Sequence, residues 1–463
     1  MGENKREGAC PVNPQAWWLP GIEPPSFTDA HFGEATLRLP VATPSLVREA
    51  AARAIAARQR SLARMPALHI VNVIDTAIAN WQSPSYPLRQ LAEEYLPKVT
   101  GYSPAMIRHG LPYVLSTFTR DGLLDLVHHE LGGPSALDER TIAGPQLTLH
   151  ILAGNIPAVP VESIVRALLV KSACLVKPSS RDPLFPALFA RSLAEIDPQL
   201  ADAVAVLWWR GGDEAMEEAA FAQANAVIAY GGEEAVAAAK MRARPEAVFV
   251  EHGPKVSFAT IGREAMKEEA IGHLARAAAW DISLFDQQGC VSPHAMYVER
   301  GGSLSPHDFA RRLADELAAI ERTLPRGRLS AEEAAQIQEA RAAAEMKEAA
   351  GKPVTLLHSQ GTTTWTVICD EDSKELQLSC LNRVVRVVTI DDLAALPGYV
   401  RQLGSYLQSV GVAIPESRLP AIAKALEGVG VTRICEIGEM QRPQAAWRHD
   451  GKANLLTLLA GWA

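Results

Sequence analysis

Between residues 147 and 251, short apolar runs alternate with longer segments of helical period. QLTLHILAG is a β-type run ending in glycine, and IPAVPVESIVRALLVKSA after it reads as a helix. ACLVKPSS, AVAVLWW, AVIAY and AVFVE are further strands, separated by the helical segments PLFPALFARSLAEI, DEAMEEAAFAQA and GGEEAVAAAKMRA. Strand and helix alternate four times in about 100 residues, the pattern of a parallel sheet whose strands are joined by crossover helices. Ligands of such sheets bind outside the carboxyl ends of the strands, where helix N-termini point at phosphates. Four strand ends are available here: Asn155, Lys177–Pro178, Gly211–Gly212 and Gly231–Gly232.

The rest of the chain is organised around this segment. Residues 44–65 and 68–130 have helical period, after a Pro-rich start with strand-like pieces. Downstream, residues 264–285 are helical and deliver the chain to Cys290, and AMYVE, TTTWTVI and VVRVVTI are strands. Helices are expected over 306–322 and 330–350, the second opening with Ser330 and Glu333 at capping-box spacing. The tail from Thr432 reads as a strand, a loop and a last helix. The domains expected are 1–145, a largely helical N-terminal region packing on the cofactor domain; 146–251, the dinucleotide-binding domain; 252–430, the cysteine domain; and 431–463, a segment returning to the core.

Composition narrows the function classes. With 45 Lys and Arg against 53 Asp and Glu, the net charge of −8 is not that of a nucleic-acid binder. The N-terminal residues are charged and hold no apolar signal core, and the most apolar stretch, VESIVRALLVKSACLV, is cut by Glu162, Arg166 and Lys171. No transmembrane segment is expected. Six cysteines, Cys10, Cys174, Cys290, Cys369, Cys380 and Cys435, form no CxxC and no zinc spacing; they read as reduced thiols of a cytoplasmic protein with no bound metal.

Several strand ends carry residues suited to chemistry. Asn155 could donate its amide to a developing oxyanion or make a turn before Pro157. Lys177, with Ser179, Ser180 and Arg181 beside it, suits a phosphate such as the 2′-phosphate of NADP, or forms a solvated turn. No GxGxxG is present; Gly211 and the pair Gly231–Gly232 each stand between strand and helix as tight turns or pyrophosphate neighbours. Glu251 and His252 end another strand and are candidate bases, as is His294, four residues past Cys290. Cys290 in FDQQGCVSPH is a nucleophile or one more buried small residue.

Taken in order, AGNIPAVP, LVKSACLVKPSSRDP, LWWRGGD, VIAYGG, HGPKVSF and DQQGCVSP resemble the LuxC-type acyl-CoA reductases, the reductase component of the bacterial bioluminescence fatty-acid reductase system. YPLRQLAEEYLPKVTGYS upstream and YLQSVGV, GVTRICEIGEM and WRHDG downstream extend the resemblance from about residue 60 to the C-terminus. The family belongs to the aldehyde dehydrogenase superfamily, which implies an α/β fold with a Rossmann-type cofactor domain, an α/β catalytic domain and a helical N-terminal region. By resemblance, Cys290 is the acylated cysteine and Asn155 the oxyanion-hole amide. Lys177 holds the adenosine ribose side of the cofactor, and Gly231–Gly232 flank the pyrophosphate. Ser180 stands where NAD-preferring relatives often carry Glu, which points to NADPH. Glu251 falls at the general-base glutamate of hydrolytic aldehyde dehydrogenases, in EHGPK instead of ELGGK. The superfamily's E-x-F-G-P motif is not recognisable in LQLSCLNRVVRV.

The function implied is reduction of a long-chain acyl thioester, carried by CoA or by protein, to the aldehyde with NADPH through an acyl-cysteine. A synthetase that forms the acyl-protein is an expected partner, and a homo-oligomer the expected assembly. Water attack on the acyl-enzyme would waste the intermediate, so Glu251 is expected to help deprotonate Cys290, relay a proton to the aldehyde, or turn away. Oxidation of an aldehyde on the same fold, a non-catalytic acyl-binding subunit and a thioesterase are the alternatives.

Overall fold

The computed structural model describes residues 13–139, 144–157, 159–373 and 375–459. The charged N-terminal start and Cys10 lie outside the described residues.

The chain opens with a hairpin of β1 (Phe27–Phe32) and β2 (Ala35–Pro40), followed by helices Pro44–Arg60, Ala67–Gln82, Pro87–Thr100, Pro104–Leu115 and Arg120–Leu131. Proline in the first turn and a side-chain cap start two of them: Thr43 accepts from the Leu46 N–H and Ser103 from the Met106 N–H. Gly101 and Gly132 end two others in the left-handed conformation.

A five-stranded parallel sheet follows, made of β3 (Leu147–Ile151), β4 (Ala173–Lys177), β5 (Val204–Val206), β6 (Ala226–Tyr230) and β7 (Val248–His252). Its order is β5-β4-β3-β6-β7, so the connections reverse direction between β3 and β6, the switch point where a crevice opens. The inner strands are buried almost throughout because both faces are covered. Helix Pro44–Arg60 lays Leu46, Val47 and Ala50 on Leu149, Leu175 and Val227 of one face. Helices Val159–Leu169 and Phe185–Ala194 cover the other.

The second sheet holds seven strands in the order β10-β11-β12-β9-β8-β13-β14. They are β8 (Val256–Ile261), β9 (Pro293–Glu299), β10 (Val354–His358), β11 (Thr366–Asp370), β12 (Val384–Ile390), β13 (Leu407–Ala413) and β14 (Arg433–Glu436). All pair in parallel except β10. Both capping boxes form, at Ser305 with Asp308 and at Ser330 with Glu333. After β14 the tail recrosses the molecule. Glu130, on an N-terminal helix, accepts from the N–H groups of Asn454, Leu455 and Leu456 and so caps the last helix, Leu456–Leu459. Among the described residues no single helix is long and apolar enough to cross a membrane.

Candidate active site

The approach to Cys290 is built from an uncommon backbone. Helix Glu268–Ser283 ends, and Phe285, Asp286 and Gln287 then take positive φ of 48°, 52° and 66°. Opposite them Leu381, Asn382 and Arg383 do the same, at 63°, 55° and 65°. Non-glycine residues pay roughly 1 kcal/mol or more each for this conformation and keep it only where surroundings over-determine it. Here they do. The Asn382 N–H donates to the Asp286 carbonyl at 3.0 Å. The fully buried Arg383 guanidinium donates to Asp286 Oδ1 (3.0 Å), Glu321 Oε2 (2.7 Å) and the Leu324 carbonyl (2.8 Å). The Gln287 amide donates to the Pro293 and Val384 carbonyls and accepts from the Val384 N–H. Asp286 and Gln287 are thus braces that set the nucleophile loop.

Cys290 is half-buried at the end of that loop, its carbonyl accepting from Ser257 Oγ at 2.7 Å. Asn155 follows β3 and reaches the same place. Its Nδ2 donates one hydrogen to the Gln288 carbonyl at 2.9 Å, and its carbonyl accepts from the Tyr102 hydroxyl at 2.5 Å. Asn155 and Cys290 line one cavity, whose walls include the apolar Val114, Phe118, Ile156 and Trp447.

His449 stands in the same cavity against Cys290. Its Nδ1 lies 3.1 Å from Glu162 Oε1, and Glu162 pairs in turn with Arg166 one turn along the helix. Trp447 and His252 stack on the imidazole at 4.7 and 4.2 Å between centroids, and Tyr230 stacks on His252. His252 Nδ1 is 2.8 Å from Asp450 Oδ2. Burial would push His449 down, but the Glu162 carboxylate and the Cys290 sulfur hold its proton and lift it to about 10. His252 goes the other way, to about 4, through burial and the neighbouring His449 charge. Glu162 is held well below the usual carboxylate range: its burial is outweighed by Arg166 and His449. The donor atoms of His252, His449 and Asp450 lie within 4.8 Å of one another; hydrogen bonds and stacking already account for that closeness.

The carboxylate of Glu251 is elsewhere. Successive strand residues face opposite sides, so β7 turns His252 inward while Glu251, its side chain 40% exposed, pairs with Lys240 (3.2 Å) and Lys452 (3.8 Å). His294 is buried in β9, accepts from the Ser379 N–H at 3.1 Å, and burial pushes it down to about 4.

The strand-end residues named for a dinucleotide fall into two groups. Lys177 Nζ points toward Gly211 and lies 5.8 Å from the Trp209 ring. Burial lowers its pKa, and no hydrogen-bond or ion-pair partner meets it among the described residues. Gly231 and Gly232 end β6 and open helix Glu233–Arg242, with nothing within 4 Å of where a Gly232 Cβ would stand. An unmet, largely desolvated ammonium at the end of β4 and, two strands along the same sheet edge, an uncovered helix start fit the hydroxyls and phosphates of a dinucleotide. Ser179 instead closes a turn, accepting from the Arg181 N–H at 3.1 Å, while Ser180 is exposed. Arg181 lines a separate polar cavity with Tyr102, Asn155, Gln288 and Asn382.

Sequence reasoning missed His449, Glu162 and Arg166 as a site. Their signal was an i,i+4 ion pair inside an otherwise apolar helix, which was read only as interrupting a hydrophobic run.

A cysteine and a strand-end amide, set where a parallel dinucleotide-type sheet meets a second sheet, define a protein of the aldehyde dehydrogenase type. Solved structures agree on the fold. Aldehyde dehydrogenase 21 from Physcomitrella patens superimposes with a TM-score of 0.68 at 15% identity, over 97% of both chains. An NAD-dependent benzaldehyde dehydrogenase from Corynebacterium glutamicum gives 0.67 at 14%, over 91% of this chain and 92% of that one. Within that class, residues 62–460 match the family described as acyl-CoA reductase (LuxC), and the chain belongs to it. It is 27% identical over 403 residues to the long-chain acyl-protein thioester reductase of Vibrio harveyi, covering 84% of this chain and 81% of the relative. To that of Photorhabdus luminescens it is 29% identical over 408 residues, covering 84% and 80%.

Proposed function

We propose that this chain reduces a long-chain acyl thioester to the aldehyde through an acyl-Cys290 intermediate, with NADPH as reductant. The observation that carries the reading is the shared cavity: Cys290 and Asn155 line it together with Val114, Phe118, Ile156 and Trp447, an apolar wall suited to an acyl group. The Cys290 sulfur attacks the thioester carbon as thiolate. The second Asn155 amide hydrogen, not used by Gln288, donates to the resulting oxyanion. That tetrahedral species expels the donor's thiolate and leaves the acyl group on Cys290. When bound, the reduced nicotinamide supplies the hydride. Asn155 again holds the oxyanion, which collapses to aldehyde and frees the Cys290 sulfur. Lys177, Gly211 and Gly231–Gly232 would hold the dinucleotide. The absence of a carboxylate from 179–181 supports NADPH, since an acidic residue at this strand end suits a bare ribose diol.

The relatives' names favour a protein-borne acyl donor over acyl-CoA, and a synthetase that forms such a donor is the partner we infer. Homo-oligomerisation is inferred with it. A reducing, cytoplasmic setting is supported by five cysteines that are free among the described residues.

Intact-protein mass spectrometry after exposure to acyl-CoA, and separately to acyl-protein, tests the reading. A single acyl adduct is expected, absent in Cys290→Ala, that disappears on adding NADPH as aldehyde forms. No adduct from either donor, or oxidation of aldehyde to acid as the sole activity, would overturn it.

A further inference from the structure

Resting on the acyl-Cys290 reading, we propose that His449 is a catalytic residue kept as imidazolium by the positioning residue Glu162, so that the acyl-enzyme has no base with which to activate water. The geometry supplies each part. His449 touches Cys290, and its Nδ1 is 3.1 Å from Glu162 Oε1. Both lie in a pocket with almost no solvent contact: His449 is 6% exposed and the Glu162 side chain 13%. Every charged or titratable group facing the ring can be named. From helix Val159–Leu169 come Glu162 and Arg166; from β6, Tyr230, 6.1 Å away between ring centroids; from β7, His252; from the nucleophile loop, Cys290; and next in the chain Asp450, whose Oδ1 lies 3.8 Å from His449 Nε2 while the same carboxylate is tied to His252 and Lys255. His252 is held neutral, as the direction of its shift agrees. Once Cys290 is acylated, the Glu162 carboxylate at 3.1 Å is the closer of the two anions at the ring, since Asp450 stands at 3.8 Å and is shared with His252 and Lys255.

The chemical consequence follows from charge. The imidazolium, in the same cavity, favours the thiolate form in which Cys290 attacks. Attack on the thioester forms the new S–C bond and breaks the old one, and the donor leaves as a thiolate that takes its proton from solvent. His449 keeps its proton throughout. An imidazolium has no lone pair to accept a proton from water, so the thioester on Cys290 waits for hydride. Collapse of the reduced adduct returns a thiolate to the same cation. Cys–His hydrolases need the opposite: an imidazole that is neutral when water arrives. A single carboxylate thus decides between reductase and hydrolase behaviour at this cysteine.

The test needs no reduced cofactor. Full-length protein is acylated with a long-chain acyl-CoA, freed of excess donor, and the acyl-Cys290 mass is followed over time at pH 7.5. Wild type should hold its acyl group. Glu162→Gln, which leaves the ring able to lose its proton, should discharge it at least about tenfold faster, releasing fatty acid. Glu162→Asp should restore retention. Glu162→Gln combined with His449→Gln should also retain the acyl group, because the base is gone; this arm separates base catalysis from loosened packing. Thermal melts monitor folding of each variant. In wild type alone, acyl loss should be flat across the neutral range, relative to a free acyl thioester, because Glu162 still lies 3.1 Å from the ring after Cys290 is acylated. Rapid discharge of wild type at neutral pH, or equal discharge by Glu162→Gln and the double variant, would overturn the proposal. Failure of every variant and wild type to acylate, from acyl-CoA and from acyl-protein alike, would instead overturn the acyl-reductase reading beneath it.

Discussion

Asn155 spends one amide hydrogen on Gln288 and has one left to give. The Tyr102 hydroxyl holds the main-chain carbonyl of Asn155 and the Gln288 carbonyl holds its side-chain amide, so the remaining hydrogen is preorganised for the oxyanion. Replacing Asn155 by Ala should slow acylation of Cys290 about 10²- to 10³-fold, read as the rate at which the acyl adduct appears, with dinucleotide affinity retained. Glu251→Gln should do little. Its carboxylate forms surface pairs with Lys240 and Lys452, and such pairs contribute about 0–1 kcal/mol. Acylation and aldehyde formation should both stay within about threefold of wild type; a hundredfold loss in either would bring the carboxylate back into the chemistry. Cys290 and Asn155 take their expected roles from the resemblance of their motifs to the LuxC-type family; as residues alone, a buried thiol and a turn before proline stayed open. Glu251 and His252 could not be told apart, since one step along a strand reverses the face and the sequence carries no mark of which face meets the cysteine.

The element that matters most is the pair of left-handed turns around Asp286 and Asn382. Helix Glu268–Ser283 and strands β9 and β12 are ordinary, and their patterns were readable. The turns between them were not, because non-glycine residues at positive φ have no compositional signature. Asp286, Gln287 and Arg383 carry no signal as letters. Their partners, at 321, 324 and 384, come from sequence far away. Arg383→Ala leaves Asp286 and Glu321 facing each other without the cation that joins them. Breaking a buried pair in this way costs about 3–5 kcal/mol. A lower urea midpoint should accompany slower acylation, because the same turn carries Cys290. Loss of activity with an unchanged midpoint would contradict the bracing role.

At the scale of the whole molecule, the alternation after residue 147 was enough to read a parallel sheet and its ligand edge. The second sheet was legible in part. VSFATI and LQSVGVA, which form β8 and β13, are buried nearly throughout and show no period of two, so they were passed over. The return of the tail was invisible, because His449 meets Glu162 across 287 residues of sequence. That contact joins a helix on the first sheet to the segment that leaves the second, so its titration should be visible in global stability. An unpaired histidine of an unfolded chain has a pKa of about 6.5, whereas His449 is raised to about 10 despite its burial. Folding therefore gains from this proton fully below pH 6.5, and the gain is lost as pH rises through about 10. Between those limits the native state binds more protons than the unfolded state, so stability falls with pH. Subtracting the stability of His449→Gln from that of wild type removes every titration not coupled to this ring. The difference should be flat below pH 6.5 and then decline by roughly 1.4 kcal/mol per pH unit toward alkaline pH. Urea denaturation at half-unit steps from pH 5.5 to 9.5 measures it. A difference that is flat across the range would mean that Glu162 does not hold the proton on His449.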